Sequence, residues 1–207
     1  MLQLAIWISK KCSEHQHQAY SVVGKVSQEI PITIAHLKPV EIERLAELDR
    51  SEHVTRAYEL VDGELTQVEV NWQVPNWFTA GDGDHSLAEQ IAFCRSHLDQ
   101  GGVLLGALKG HLLVGISLVR PKLHGDMAQL AFLHVSRVFR KQGIAKRLMG
   151  AVCDIARSAG ARRMYVSAVP SESAVGFYLS QGCRLAEQVD PELYAVEPED
   201  IHLILDL

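Results

Sequence analysis

Over the first 30 residues the apolar positions keep no helical or alternating period, and from Ile30 they fall into order. Residues 31 to 36 read as a short strand, and Pro39 then opens a helix whose apolar residues are Ile42, Leu45 and Leu48. A second helix is signalled by Ser86-Leu87-Ala88-Glu89, in which the serine and glutamate side chains suit the unpaired N–H groups of a first turn. Ile91, Cys94 and Leu98 lie on one face of it, and Gly101-Gly102 ends it. The segment between the two helices shows no clear pattern and is read as irregular.

The second half is more regular. Strands are expected at 103 to 109 and 112 to 119, joined through Lys109-Gly110-His111 as an antiparallel hairpin, with Pro121 closing the second. A polar loop with His124, Gly125 and Asp126 precedes a buried strand from Ala128 to Val135. The helix from about 143 to 158 puts Ile144, Leu148, Met149, Val152, Ile155 and Ala156 on one face, and Gly160 stops it. A strand at 163 to 169, a helix from Ser171 to Gln181 ended by Gly182, and alternating Ile201, Leu203, Leu205 and Leu207 complete the series. Strands joined partly by a hairpin and partly through crossing helices imply an α/β (α+β mixed) fold with a single central sheet.

With 207 residues and 47% apolar content the chain can bury a sizeable core, so one main domain over 31–207 is expected, with residues 1–30 an appended arm. A net charge of −5 argues against a protein built to grip nucleic-acid backbone or an anionic membrane surface. Cys12, Cys94, Cys153 and Cys183 form no CxxC pair and read as reduced thiols. His15 and His17 in the polar arm are read as solvated, so no metal is expected. Leu2 to Ile8 is too short an apolar run to span a bilayer, and a cytoplasmic location is expected.

The junction at Arg140-Lys141-Gln142-Gly143-Ile144-Ala145 changes this picture. A helix N-terminus exposes unpaired N–H groups and the positive end of the macrodipole, so a glycine turn feeding it is a natural phosphate seat. Between Asp126 and Asp154 there is no acidic residue, while Arg137, Arg140, Lys141, Lys146 and Arg147 are cationic. A solvated basic face is the plainer alternative for a lone motif. The wider order favours the ligand: strand, RxxGxA turn, amphipathic helix, second strand, then a helix holding Ala174-Val175-Gly176-Phe177-Tyr178. That loop is not GxGxxG, which disfavours a dinucleotide-binding dehydrogenase.

In this order and in the match of Arg140 to Ala145 to the Q/R-x-x-G-x-G/A hallmark, the sequence resembles the GNAT superfamily of acyl-CoA-dependent N-acetyltransferases. The resemblance implies a mostly antiparallel sheet and acetyl-CoA as co-substrate. It implies that the strand before the loop splays from the next one and that Leu133, His134 and Val135 offer pantetheine a free edge. The amides of Gln142, Gly143, Ile144 and Ala145 would hold the pyrophosphate, with Arg140 and Lys141 supplying charge. A serine, Ser171, stands where the family pattern N-x-x-A-x-x-F-Y begins with asparagine; it suits a cofactor contact and a helix N-cap equally. Tyr178, beside Phe177, looks like the tyrosine that donates to the departing thiolate. Where some members carry a basic glutamate, this chain has Gln129, which cannot accept a proton but can orient a water. His124, Asp126 and His134 are the other candidates for a base.

Between Glu41 and Glu89 lie twelve acidic residues, three arginines and no lysine, opposite in sign to the loop. Such a segment suits a cationic amine acceptor, with Trp72 and Trp77 as candidate pocket walls, although solvated carboxylates and a loop anchor explain both equally well. The expected acceptor is a small-molecule amine or a protein amine, with no nucleic-acid or membrane partner and with a homodimer left open. A non-catalytic acyl-CoA-binding module is the alternative, motivated by Gln129 and Ser171.

Overall fold

The computed structural model describes residues 30–207 apart from Asp82 and Asp84, so all but the last residue of the expected arm lies outside the described residues. Nine strands and four α-helices follow in chain order among them: β1 Ile32–His36, β2 Glu52–Val61, β3 Glu64–Val74, α1 Leu87–Asp99, β4 Val103–Lys109, β5 Leu112–His124 and β6 Met127–Val135. Then come α2 Ile144–Ser158, β7 Arg163–Ala168, α3 Glu172–Ser180, β8 Arg184–Leu185, α4 Pro191–Val196 and β9 Ile201–Asp206. Seven strands form the central sheet in the order β1-β4-β5-β6-β7-β9-β8, and β6 with β7 is its one parallel pair. The expected mixed, mostly antiparallel sheet flanked by helices is thus what the chain forms.

One sheet face carries α2 and α3. Ile144, Leu148, Met149, Val152, Cys153 and Ala156 of α2 pack with Ala128, Leu130, Val166 and Leu203, and each large aliphatic so buried contributes about 1.5–3 kcal/mol. The opposite face has two smaller apolar clusters. Ile42, Leu45, Leu48, Ile91 and Cys94 cover Leu104, Ile116, Leu118 and Phe132, while Leu193 of α4 packs with Met127, Tyr165 and Ile204.

Four sequence expectations need correction. The helix after Pro39 is a 3-10 helix over Pro39–Glu47; its apolar residues Ile42, Leu45 and Leu48 recur at intervals of three, the period of that tighter helix. The segment expected to be irregular holds the hairpin β2–β3, a separate two-stranded sheet. Asp62 and Gly63 both take positive φ, 51° and 84°, at its turn, as a two-residue hairpin loop matched to strand twist demands. A register shift between Val54 and Arg56 blurs the strand's alternation. Pro121 does not end β5, which runs to His124; the register breaks between Arg120 and His124, so the ladder loses little to the missing N–H. The short elements β8 and α4 carry too few residues to show a period.

The feature that shapes the site is in β6. Leu118 pairs with Phe132 and Val119 with Leu130, which leaves Ala131 as a bulge. A bulge bends and twists its strand. Pairing with β7 ends at Leu130–Val166, while β6 continues to Val135 and β7 to Ala168. A cleft therefore opens between the two parallel strands at their C-terminal ends.

Candidate functional site

The chain leaves β6 through a 3-10 turn, Arg137–Phe139, and enters α2 with Gly143 as N-cap. Gly143 sits at φ 76° and Lys141 at φ 61°; the left-handed conformation costs a side-chain-bearing residue about 1–2 kcal/mol, which glycine avoids. Among the described residues, no protein group accepts from the backbone N–H of Lys141, Gln142, Gly143, Ile144, Ala145 or Lys146. A row of main-chain donors thus stands at the positive end of a 15-residue helix. Lys141 is exposed, and Gln142 Nε2 folds back to donate to Val138 O at 3.2 Å.

Arg140 faces the other way. Its Nε donates to Val135 O at 3.1 Å, its Nη2 to Arg50 O at 2.8 Å, and its Nη1 pairs with Glu52 at 2.7 Å. Arg137 N donates to Asp49 O and Asp49 N donates to Ser136 Oγ, so residues 136–140 are stitched to the segment entering β2. The guanidinium holds the loop's shape, and its three nitrogens already have protein partners.

Along the cleft, Leu133 and Val135 turn toward the α2 face. His134 turns to the opposite face, with its ring 4.6 Å from Phe132 and 5.2 Å from Trp77. Burial, then the charges of Arg50 and Arg140, push the His134 pKa down to about 3, so the imidazole is neutral and a weak proton acceptor at working pH. Arg50 lies over the Trp77 ring at 5.2 Å. Trp77 is a core residue, 7% exposed, whereas Trp72 is on β3 and 40% exposed. The two tryptophans occupy different surroundings.

Tyr178 of α3 is buried beside Phe177, at 5.2 Å between rings, and burial drives its phenol pKa well up. Its proton is held at all ordinary pH. Ser171 caps α3, with Oγ accepting from Ala174 N at 3.2 Å. Gln129 is 3% exposed and accepts from Arg120 Nη1 at 3.2 Å. Burial raises the thiols of Cys94, Cys153 and Cys183, the first to about 12 and the last to about 11, as befits packing residues. His124 and Asp126 sit at the start of β6, where His124 pairs with Asp190 and Asp126 with Arg163. The length of the nine-residue strand, about 25–30 Å, separates them from the loop.

The acidic segment 41–89 is partly neutralised: Glu41 and Glu47 pair with Arg44, Glu43 with Arg95, and Glu52 with Arg140. A second concentration of polar groups, which the sequence reading missed, lies by the end of β7. Ser167 pairs in register with His202 and Ala168 with Ile201. Glu197 and Asp200 immediately precede that edge of β9. Burial raises both carboxyl pKa values, with Glu197 adding to the effect on Asp200, which is pushed up to about 7. Ser167 Oγ and both ring nitrogens of His202 are buried without a hydrogen bond of normal geometry. The one sequence signal was the alternation Ile201, Leu203, Leu205, which puts His202 on the other side of an interior strand.

Among the described residues no helix is long and apolar enough to cross a membrane. The fold has solved counterparts. Nourseothricin acetyltransferase is similar at 17% identity and TM-score 0.63, over 84% of this chain and 98% of that one. A putative streptothricin acetyltransferase from Bacillus anthracis str. Ames, in complex with acetyl coenzyme A, is similar at 16% identity and TM-score 0.63, over 86% and 99%. The ribosomal-protein-S18-alanine N-acetyltransferase from Escherichia coli is similar at 14% identity and TM-score 0.54, over 85% and 94%. No functionally curated protein matches the chain. Residues 68–183, more than half of the sequence and including the β6 cleft, the loop and α3, match the Acetyltransferase (GNAT) family, and the chain belongs to that family.

Proposed function

We propose that this protein transfers the acetyl group of acetyl-CoA to an amine by direct attack within a ternary complex. The observation that carries the reading is the row of unpaired N–H groups from Lys141 to Lys146 at the mouth of the β6–β7 cleft. Six adjacent donors with Lys141 nearby suit a pyrophosphate, and the open edge at Leu133, His134 and Val135 suits the amide-bearing pantetheine arm. The similar Bacillus anthracis structure, which holds acetyl coenzyme A, supports the same assignment. Arg140 acts as a positioning residue here, because its nitrogens are taken up by Val135, Glu52 and Arg50 behind the loop.

In this reading, main-chain N–H groups of the open β6 edge polarise the thioester carbonyl as the amine attacks. Tyr178, kept protonated by burial, donates to the leaving sulfur. Ser171 remains the α3 cap and offers its hydroxyl to the co-substrate, beside Phe177. Gln129, held by Arg120, orients water rather than taking a proton. The acceptor is a small cationic amine, which the exposed carboxylates Glu59, Asp62, Glu64 and Glu69 of the hairpin, in no ion pair among the described residues, would attract from solution; exposed Trp72 is a candidate for an aromatic contact.

The test is a free-thiol assay with acetyl-CoA and a panel of amines. Thiol release that requires an amine, fastest for cationic ones, is the expected result. Stabilisation by acetyl-CoA without thiol release would instead favour a non-catalytic acyl-CoA-binding module, and no stabilisation at all would remove the reading.

A further inference from the structure

Gln129 leaves the reaction without an evident proton acceptor, and the polar cluster at the end of β7 has one. Pairing of β6 with β7 stops at Val166, and Ser167 and Ala168 beyond it face His202 and Ile201. Asp200 therefore stands at the β7 side of the cleft mouth, one residue before β9. Glu197 and Asp200 both act electrostatically on the Tyr178 phenol, which puts them within electrostatic range of the group assigned to the departing sulfur.

Two features mark this cluster as unfinished. The carboxylates are half-buried, yet neither is in an ion pair among the described residues; desolvated charges of one sign are costly unless something neutralises them. His202 is 6% exposed, and its ring nitrogens and the Ser167 hydroxyl lack a hydrogen bond of normal geometry, although Glu197 is close to both. A buried polar group without a partner costs about 1–3 kcal/mol. One positive charge carrying several N–H donors would satisfy carboxylates, hydroxyl and imidazole together, and a protonated primary amine has that form.

We propose that Glu197 and Asp200, with Ser167 and His202, receive the ammonium group of the acceptor, and that Asp200 takes the proton that frees this amine for attack. The inference rests on the acetyltransferase reading and names the part of the site that reading left open. The ammonium gives one proton to the Asp200 carboxylate, and the nitrogen lone pair forms the C–N bond as the carbonyl electrons move to oxygen. Collapse of the adduct breaks the C–S bond, and sulfur leaves with the electron pair and takes the Tyr178 proton. The second nitrogen proton restores the phenol through solvent, and Asp200 releases its own to bulk water. The sum is one amide, one thiol and one proton.

Asp200 is poised for this exchange, since burial and the neighbouring Glu197 charge raise its pKa to about 7. The other titratable groups around it are Tyr178 on α3, and His202 on β9 with Tyr165 and Asp190 beside that imidazole. Burial lowers the His202 pKa and raises those of Tyr178 and Tyr165, so near neutral pH these three stay uncharged while Asp200 titrates.

The experiment compares Asp200→Asn, Glu197→Gln and Ser167→Ala with the wild type, and uses exposed Glu199→Gln as a charge control. Readouts are thermal stabilisation by acetyl-CoA and the pH dependence of thiol release with n-butylamine and 1,4-diaminobutane. Asp200→Asn is expected to keep acetyl-CoA stabilisation, lose roughly a hundredfold in kcat/KM and lose the rising limb near pH 7. Glu197→Gln and Ser167→Ala are expected to raise the amine KM severalfold, and Glu199→Gln to change neither parameter. Wild-type rate and pH limb in Asp200→Asn would overturn the inference and leave acetyl transfer standing. An unchanged amine KM in both Glu197→Gln and Ser167→Ala would do the same. Absence of amine-dependent thiol release in the wild type would overturn both proposals.

Discussion

The seat at the start of α2 is made of consecutive main-chain groups, residues 141 to 146, shaped by Gly143 and fastened from behind by Arg140. The cluster on the β7 side of the cleft is made of side chains from separate elements: Ser167 of β7, Glu197 after α4, and Asp200 and His202 at the start of β9. Main-chain donors at a helix start suit a phosphate whatever side chains surround them. Side chains gathered from distant positions can change one by one without disturbing the fold. On this account the co-substrate site is written into the fold, and the acceptor site is where the chain acquires its own specificity.

That contrast can be broken experimentally, and the largest effect is expected at Tyr178. Tyr178→Phe should lower kcat about a hundredfold or more while acetyl-CoA stabilisation persists; equal rates by stopped-flow thiol detection would end its assignment as acid. Arg140→Ala should unfold at a lower temperature, losing about 2–4 kcal/mol because Glu52 and two buried carbonyls lose their partner. Its acetyl-CoA affinity should fall with it, as the loop loosens. Ser171→Ala should cost about 1 kcal/mol of stability through the lost α3 cap, seen in chemical denaturation. Lys141→Ala should leave stability unchanged and weaken acetyl-CoA severalfold, more at low salt, as a screened surface charge does.

The acidic pair sharpens the same contrast through pH. The folded-state pKa of Asp200 is raised above its ordinary 3.8 to about 7, so ionising it opposes folding. Stability without acceptor is then lowest above pH 7 and recovers as pH falls through that value toward 4. Melting curves between pH 8 and 6 should show the recovery, and Asp200→Asn should flatten it. A cationic amine should raise the melting temperature most at the alkaline end.

How much the sequence disclosed follows the same division. The cleft strand, the RxxGxA turn and α2 were legible because each depends on local rules: a buried strand, a glycine at positive φ, a 3.6-residue period. The Asp62-Gly63 turn was legible by its chemistry too, but the register shift opposite Thr55, where β3 carries the extra residue, hid the alternation that would have given it weight. Ile42, Leu45 and Leu48 gave the position of a helix but not its 3-10 type, because three apolar residues at intervals of three also fit one face of an α-helix. Glu197 and Asp200 gave no signal, because an acidic pair in a polar stretch reads as solvated until β9 and α3 are brought against it. Trp77 illustrates the converse: a proline-flanked aromatic that suggested a pocket wall packs into the core against Phe132 and His134.

The proposed reaction moves an acetyl group from acetyl-CoA held at the α2 seat to an amine held beside Asp200. Mass spectrometry of the wild-type reaction with 1,4-diaminobutane, run alongside thiol quantitation, tests it most directly. One acetylated amine for each free CoA thiol is expected. CoA thiol appearing at the same rate with and without the amine, and no acetylated amine, would contradict it.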